Sequence, residues 1–489
     1  MKDISRNLTM LCDFYELTMA GGYFRSGIGD RIAYFDLFYR DNPDGGGYAV
    51  VAGLEQIVDY IRNLHFTEED IAFLRGKGCF DEPFLDYLRS FRFTGDMWAV
   101  PEGTFVFPGE PLITVRAPAI QAQFIETYLL MIVNHESLIA TKAARITRAA
   151  KGRAVSEFGS RRAQGADAAI LGARAAFIGG GSSPPCGDGS TACTLSDEVF
   201  GVPAGGTMAH SWVQMFDSEL DAFRTYCEIY PHNATLLIDT YNVLDSGLPH
   251  AIAAFDEVLR PRGITSCAIR IDSGDITYLT QKIRARLDEA GWQTCKIVVS
   301  NSMDEYIIRE LIRQGACIDA FGVGERLITA KSDPVFGGVY KLCAVEAPDG
   351  TIIPKIKISE NVSKITTPHF KKVYRLRGRD TGKAEADLIC LHDETVDDSQ
   401  PLEIFDPQNT WKRKVLTDFT AEELLVPVFR GGELVYSLPT LPEIRARFEA
   451  ECDGMWEEVR RFTNPHNYYV DLSQKLWDIK QVMLNSRTH

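Results

Sequence analysis

The chain has 489 residues, 45% of them hydrophobic and 24% charged, an ordinary globular composition with room for two or three domains at about 150 residues each. A formal net charge of −15 argues against nucleic acid or anionic membrane as the main partner, yet allows an anionic small molecule held by a local basic cluster. The eleven cysteines are scattered without one C-x-x-C pair, poor spacing for zinc or a compact disulfide framework, which points to reduced thiols. MKDISRNLTMLCDFYELTM lacks the continuous apolar run of a signal peptide, and no stretch approaches ~18 uninterrupted apolar residues, so the expectation is a cytoplasmic protein without a membrane span.

In chain order, DFYELTMAGGYF reads as a helix and RIAYFDLFYR as a strand. Gly45, Gly46 and Gly47 turn the chain into the helical pattern VAGLEQIVDYIRNL. From Phe93 to Pro118 short β-runs broken by Pro and Gly predict a small antiparallel sheet, and a long helical stretch follows to about Ala150. Residues 153–340 change rhythm. RAVSEFGSRR, RAAFIGGG, TLLIDTYN, CAIRIDSGD, KIVVSNSMD, DAFGVGE and GVYK are β-like runs, most of them followed by helical segments such as ITYLTQKIRARLDEAG. Repeated βα units build a parallel sheet, whose C-terminal strand ends carry the chemistry in α/β proteins. The polar tails EFGSRR, DTYN, RIDSGD, SNS and GVGE fall at that end. From about Leu342 the pattern returns to β-runs, then the helix LPEIRARFEAECDGMWEEVRRF and the tail NPHNYYVDLS.

No G-x-x-x-x-G-K-[ST] loop is present, and GVGERL lacks the third glycine of a dinucleotide fingerprint. Any phosphate must then be held by loops after late strands and by helix N-termini. His210 lies in GGTMAHSW, either as a satisfied structural histidine or as a ligand-facing one. The two glycines permit close backbone approach, and Thr207 and Ser211 add hydroxyls beside the ring.

Asp272, Ser273, Gly274 and Asp275 end the run CAIRI. Two carboxylates three apart, with a hydroxyl and a glycine between, suit a Mg²⁺–phosphate group or a sugar diol, and equally suit a helix cap. Arg270 alternates to the same face as Asp272, a placement that makes sense opposite an anion. The doublet Arg161–Arg162 is either solvated or anion-binding. Lys341, after Gly337 and Gly338, resembles an amide cradle with a point charge for phosphate, and Asn301 could donate to the same ligand. Tyr15 and Phe177 read first as core aromatics.

DFYELTMAGGYF, EFGSRRAQG, GGTMAHSW, LLIDTYN, RIDSGD, VVSNSMDE, FGVGERL, GGVYKL and NPHNYYVDLS, in this order, strongly resemble the nicotinate phosphoribosyltransferase family over about residues 8–475. The resemblance implies an irregular α/β barrel at 136–345. It would pack against a smaller β-rich α+β domain formed by the N-terminal segment 1–135 and the C-terminal segment 346–489. It implies an ATP-coupled, ligase-class transfer of phosphoribose from 5-phosphoribosyl-1-pyrophosphate to nicotinate, the first step of NAD synthesis from nicotinate. ATP and Mg²⁺ would take part, in a homodimer with Tyr15 reaching into the neighbour's site.

Residue by residue, the resemblance puts Tyr15 and Phe177 on the nicotinate ring, Thr207 and Arg270 on the substrate, and a transient phosphate on His210. Asp272 is the catalytic carboxylate in this reading. Arg161, Ser273, Gly274, Gly324 and Lys341 surround the phosphoribosyl and pyrophosphate groups, with Asp275 and Asn301 beside them. Glu325 falls among them where some relatives carry threonine. The segment Gly179–Phe200 is several residues longer than the family pattern and lies next to the expected ring pocket. The alternatives are a nicotinamide phosphoribosyltransferase, which would need a carboxylate facing the neutral amide, and a catalytically silent, metabolite-sensing barrel.

Overall fold

The computed structural model describes residues 6–181, 190–361 and 364–486. The Ser-Ser-Pro-Pro part of the long segment after Gly179 lies outside the described residues. The chain folds as two compact units, Ile139–Pro334 and Ile4–Leu138 with Val335–His489.

The first unit is a five-stranded sheet in the order Ala154–Glu157, Ala320–Val323, Lys296–Asn301, Ala268–Ile271, Thr235–Leu237. Every neighbouring pair in it is parallel. Strands buried on both faces must be apolar nearly throughout, and Leu236, Leu237, Ile269, Ile271, Ile297, Val299 and Phe321 are all buried. Each strand leads into a helix. Ile276–Glu289 turns Ile276, Thr280, Ile283 and Leu287 inward, a stripe at helical spacing, and Glu305–Arg313 starts on Asp304, whose carboxylate accepts from two backbone amides. Isolated bridges from Glu157 to Thr191 and from Thr191 to Ala204 continue the sheet past its first strand.

The second unit is mainly antiparallel. Its seven-stranded sheet runs Ile352–Pro354, Gly338–Glu346, Ile32–Tyr39, Ile113–Pro118, Asp96–Ala99, Val426–Arg430, Glu433–Leu434. A four-stranded sheet joins Phe419–Glu423, Lys371–Gly378, Ala384–Leu391 and Val470–Leu472, the last pairing parallel. Among the described residues no helix is long and apolar enough to cross a membrane.

Some sequence-based expectations are corrected here. RAAFIGGG does not form a strand: Ala166–Ile178 is a helix. It is alanine-rich and buried at Gly172 through Ala176, so its apolar run shows no helical alternation even though alanine favours the helix. GVYK is not the last parallel strand, because Gly338–Glu346 pairs antiparallel with Ile32–Tyr39 in the other unit's sheet. The helix that begins at Leu441 stops at Gly454, and a further helix, Gln474–Asn485, follows the tail.

Candidate active site

In the parallel unit the polar tails EFGSRR, DTYN, RIDSGD, SNS and GVGE all lie at the C-terminal ends of parallel strands. The strand ending at Leu237 delivers Ile238, Asp239 and Thr240, and its neighbour delivers Asp272 and Ser273. The Asp239 side chain is 1% exposed and its two oxygens differ sharply. Oδ2 accepts the Asp272 amide at 2.8 Å and the Ser273 hydroxyl at 2.7 Å. Oδ1 is buried without a hydrogen-bond partner.

The nearest cationic candidate for Oδ1 is His210 Nε2 at 3.9 Å, on a ring whose side chain is 41% exposed. The other ring nitrogen, Nδ1, lies 3.1 Å from Thr240 Oγ1. His210 opens the short helix His210–Gln214, which carries it up to these strand ends. One imidazole therefore has a hydroxyl beside one nitrogen and a half-satisfied carboxylate beside the other. A buried charge with an unmade hydrogen bond is costly, so its presence points to a partner or a chemical task.

Arg270 donates from a terminal guanidinium nitrogen to Thr207 Oγ1. The structure thus joins two of the sequence candidates by a direct contact. Asp275 caps the helix Ile276–Glu289 by accepting the Tyr278 amide at 3.0 Å, and Gly274 before it has φ +88°, a left-handed turn that favours glycine. Asn301 is exposed at the end of its strand and folds its Oδ1 back onto the Ser302 amide at 2.6 Å.

Arg161 and Arg162 sit exposed in the turn Ser160–Arg162. Gly324 starts the helical turn Glu325–Ile328, and a Cβ on Gly159 would lie 2.7 Å from the Gly324 carbonyl, so glycine at 159 permits close passage of the two loops. Glu325 pairs with Lys331 at 2.5 Å, and that lysine holds its carboxyl below the usual range. Phe177 is partly buried on the helix Ala166–Ile178.

In the antiparallel unit Tyr15 is 43% exposed on the helix Phe14–Arg25, not packed in the core as an aromatic at a helical position would ordinarily be. Lys341 lies 3.4 Å from Glu126, and burial followed by the Glu126 charge pushes the ionisation of the Tyr15 phenol up. Sequence reasoning singled out neither Glu126 nor Asp239 and Thr240. Asp239 and Thr240 carried a signal, since they open DTYN, one of the polar tails at the parallel strand ends.

Among the described residues no three His, Cys, Asp or Glu side chains form a metal cage. Magnesium bound through substrate phosphates needs only one or two carboxylates. Asp239, with its unpartnered oxygen, and the adjacent Asp272 fit that requirement.

Residues 10–134 match the family model of the nicotinate phosphoribosyltransferase (NAPRTase) N-terminal domain, and residues 370–480 match that of its C-terminal domain. The chain is 42% identical over 474 residues to the nicotinate phosphoribosyltransferase of Bacillus subtilis (strain 168), covering 97% of this chain and 94% of the relative. It is 31% identical to the Homo sapiens enzyme, covering 98% of this chain and 96% of that one. The crystal structure of human nicotinic acid phosphoribosyltransferase superposes with a TM-score of 0.81 at 30% identity, over 97% of this chain and 99% of that chain. The strand-end cluster around His210 thus sits in a chain that belongs to the nicotinate phosphoribosyltransferase family.

Proposed function

We propose that this chain joins nicotinate to the phosphoribosyl group of 5-phosphoribosyl-1-pyrophosphate, releasing nicotinate mononucleotide and pyrophosphate, and that ATP hydrolysis drives the step through a phosphorylated His210. The observation that carries this reading is the His210 ring with Thr240 at one nitrogen and the unpartnered oxygen of Asp239 nearest the other. A neutral imidazole is a nucleophile at physiological pH. Its lone pair forms the N–P bond as the bond from the γ-phosphorus to ADP breaks. The proton on the second nitrogen then stabilises the phosphorylated ring if an acceptor faces it, and each nitrogen here has one.

Transfer itself develops positive charge at C1 of the ribose and negative charge on the leaving pyrophosphate. Preorganised donors that meet developing charge are usually the largest catalytic contribution. Arg161, Ser273, Gly274, Gly324 and Lys341 are assigned to the phosphate groups, with Asp275, Asn301 and Glu325 at their margin. Asp272 is assigned to the ribose and its developing charge. Mg²⁺, with Asp239 and Asp272 as its candidate carboxylates, would supply charge neutralisation to the diphosphate.

Arg270, oriented by Thr207, is assigned to the nicotinate carboxylate. Phe177 offers one face to the pyridine ring, and Tyr15 of a neighbouring subunit the other, which makes the working form a homodimer. The parallel sheet is read as the wall of an irregular barrel, with the antiparallel unit as a β-rich second domain that is the larger of the two.

Incubation with γ-labelled ATP tests the reading. The wild type should acquire an acid-labile, base-stable label that His210→Ala abolishes, and it should convert nicotinate far better than nicotinamide. An acid-stable label, or labelling that persists in His210→Ala, would refute the histidine assignment. Equal turnover of the two pyridines would refute the substrate.

A further inference from the structure

The strands Lys296–Asn301 and Ala320–Val323 lie side by side with Asn301 level with Val323, so the segments that leave them start together. The first runs through Ser302 and Asp304 into the helix Glu305–Arg313. The second runs through Gly324 into the helical turn Glu325–Ile328. A turn of four residues does not hold its shape in water by itself, so this loop needs ties from outside. It has one near each end.

At the near end the Arg326 guanidinium crosses to the neighbouring segment, donating from Nη1 to Asp304 Oδ2 and from Nε to Ser302 Oγ at 3.2 Å. At the far end Lys142 donates to Ser332 Oγ at 2.8 Å and pairs with Glu305 at 2.8 Å. Asp304 and Glu305 thus fasten both ends of the loop to the start of one helix. The two ties differ in their surroundings. Lys142 and Glu305 are buried, with side chains 2% and 0% exposed, whereas Arg326 is 33% exposed at the strand ends, where a ligand can reach.

Asp304 does more than cap its helix. Oδ1 already accepts the Tyr306 and Ile307 amides at 3.1 and 2.9 Å, and asparagine would cap as well with that one oxygen. What the second oxygen adds is a fixed anion for Arg326. A planar guanidinium held at two of its nitrogens has a set orientation, which it passes to the loop that carries it.

We propose that Asp304 is a positioning residue for the transfer reaction: through Arg326 it sets the loop of Gly324 and Glu325 in the shape that receives phosphate of 5-phosphoribosyl-1-pyrophosphate. This rests on the assignment of that loop to the phosphate groups. The loop then meets its anion already ordered, so the ordering cost falls in folding and not in binding.

Steady-state kinetics of the full chain, varying nicotinate and 5-phosphoribosyl-1-pyrophosphate separately, test this with Asp304→Asn, which keeps the cap and removes the charge. The KM for phosphoribosyl pyrophosphate should rise by about threefold to tenfold, the scale of one charged contact, while that for nicotinate stays fixed. Asp304 acts through Arg326 alone, so Asp304→Asn made on top of Arg326→Met should add less than about twofold. A merely structural role as a cap would add its effect in both backgrounds and move both KM values together.

Arg326→Met alone should raise the same KM at least as far, and does not depend on the stability of Asp304→Asn. An unchanged KM for phosphoribosyl pyrophosphate in either single variant overturns the proposal. Parallel rises in both KM values of Asp304→Asn, or full additivity of the two substitutions, overturn it too. All of these results leave the proposed function standing. A wild type that forms no nicotinate mononucleotide would remove that function and this proposal with it.

Discussion

Two buried aspartates, one in each unit, meet opposite surroundings. Asp387, in the antiparallel unit, accepts from Arg375 at 2.6 and 3.0 Å and from the Tyr468 hydroxyl at 2.8 Å. Arg375 is fully buried too, and spends its other donors on Glu451 and on the Phe105 carbonyl at 2.8 Å. Asp239, in the parallel unit, has one oxygen bonded twice and the other not at all, with an imidazole 3.9 Å away. Both carboxylates bear the desolvation cost of burial. Asp387 recovers it within the fold, so its network serves the architecture. Asp239 leaves part of it unrecovered, which stability alone would not favour, so the cost belongs with a reaction or a ligand.

That contrast breaks first at Arg375. Arg375→Met would strand Asp387 as a buried carboxylate without its cation, while Glu451 keeps Arg377 at 2.6 Å, and breaking such a network costs about 3–5 kcal/mol. Thermal or urea unfolding should show the loss, while kcat per folded molecule changes little. A melting temperature within a few degrees of wild type would mean that the Arg375 network is not structural in this sense.

Asp239→Asn should give the reverse. Removing a half-satisfied buried charge leaves stability within about 1 kcal/mol of wild type or above it. Phosphorylation of His210 should slow by about 10²-fold, the usual scale for losing one preorganised electrostatic partner. Rapid-quench labelling with γ-labelled ATP reads the rate and calorimetry reads the stability. Strong destabilisation with normal labelling would place Asp239 in the same class as Asp387.

How much of this contrast the sequence carried depends on distance along the chain. The polar tails of the parallel strands were visible, because a short apolar run followed by polar residues is local information. Asp272 and Asp275 stood out by their spacing, and Asp275 is spent on a helix cap. Asp239 gave no such spacing signal, since its bare oxygen exists only once two adjacent strands align. The antiparallel unit was less legible. Tyr39 pairs with Gly338, so its central sheet is built from segments about three hundred residues apart, and no local periodicity reports that register. The helix Ala166–Ile178 was missed for another reason: burial around most of its circumference removes the alternation by which helices are recognised.

Glu16 tests whether half-satisfied burial costs stability in the antiparallel unit as well. Its Oε1 accepts from the Thr127 amide at 3.0 Å and hydroxyl at 2.6 Å, while Oε2 is buried without a partner. Burial pushes its carboxyl up to about 7, with the Thr127 bonds opposing and the Glu126 charge adding. A folded value above the unfolded one means that the native state keeps a proton the unfolded chain has lost. Stability therefore falls as pH rises from about 4.5 to about 7 and levels off above, a loss on the order of 2–3 kcal/mol. Glu16→Gln should flatten that slope in chemical denaturation across pH. An unchanged slope would assign the dependence to other groups.

The finest distinction lies within the Asp239 contacts themselves. Ser273 supplies one of the two donors to Oδ2, through an exposed side chain, and the Asp272 amide supplies the other from the backbone. Ser273→Ala leaves the amide in place, so Asp239 keeps its position but loses one of two restraints. A single neutral-to-charged hydrogen bond of this kind is worth about 1–2 kcal/mol in place, less where solvent can substitute. His210 labelling should slow by about threefold to tenfold, and the unfolding midpoint should stay within about 0.5 kcal/mol of wild type. If Ser273 also meets phosphate, the KM for phosphoribosyl pyrophosphate rises along with the slower labelling. If it only braces Asp239, the labelling rate changes and that KM does not. A serine that braces nothing would leave both untouched, and the two bonds on Oδ2 would then be incidental to the His210 chemistry.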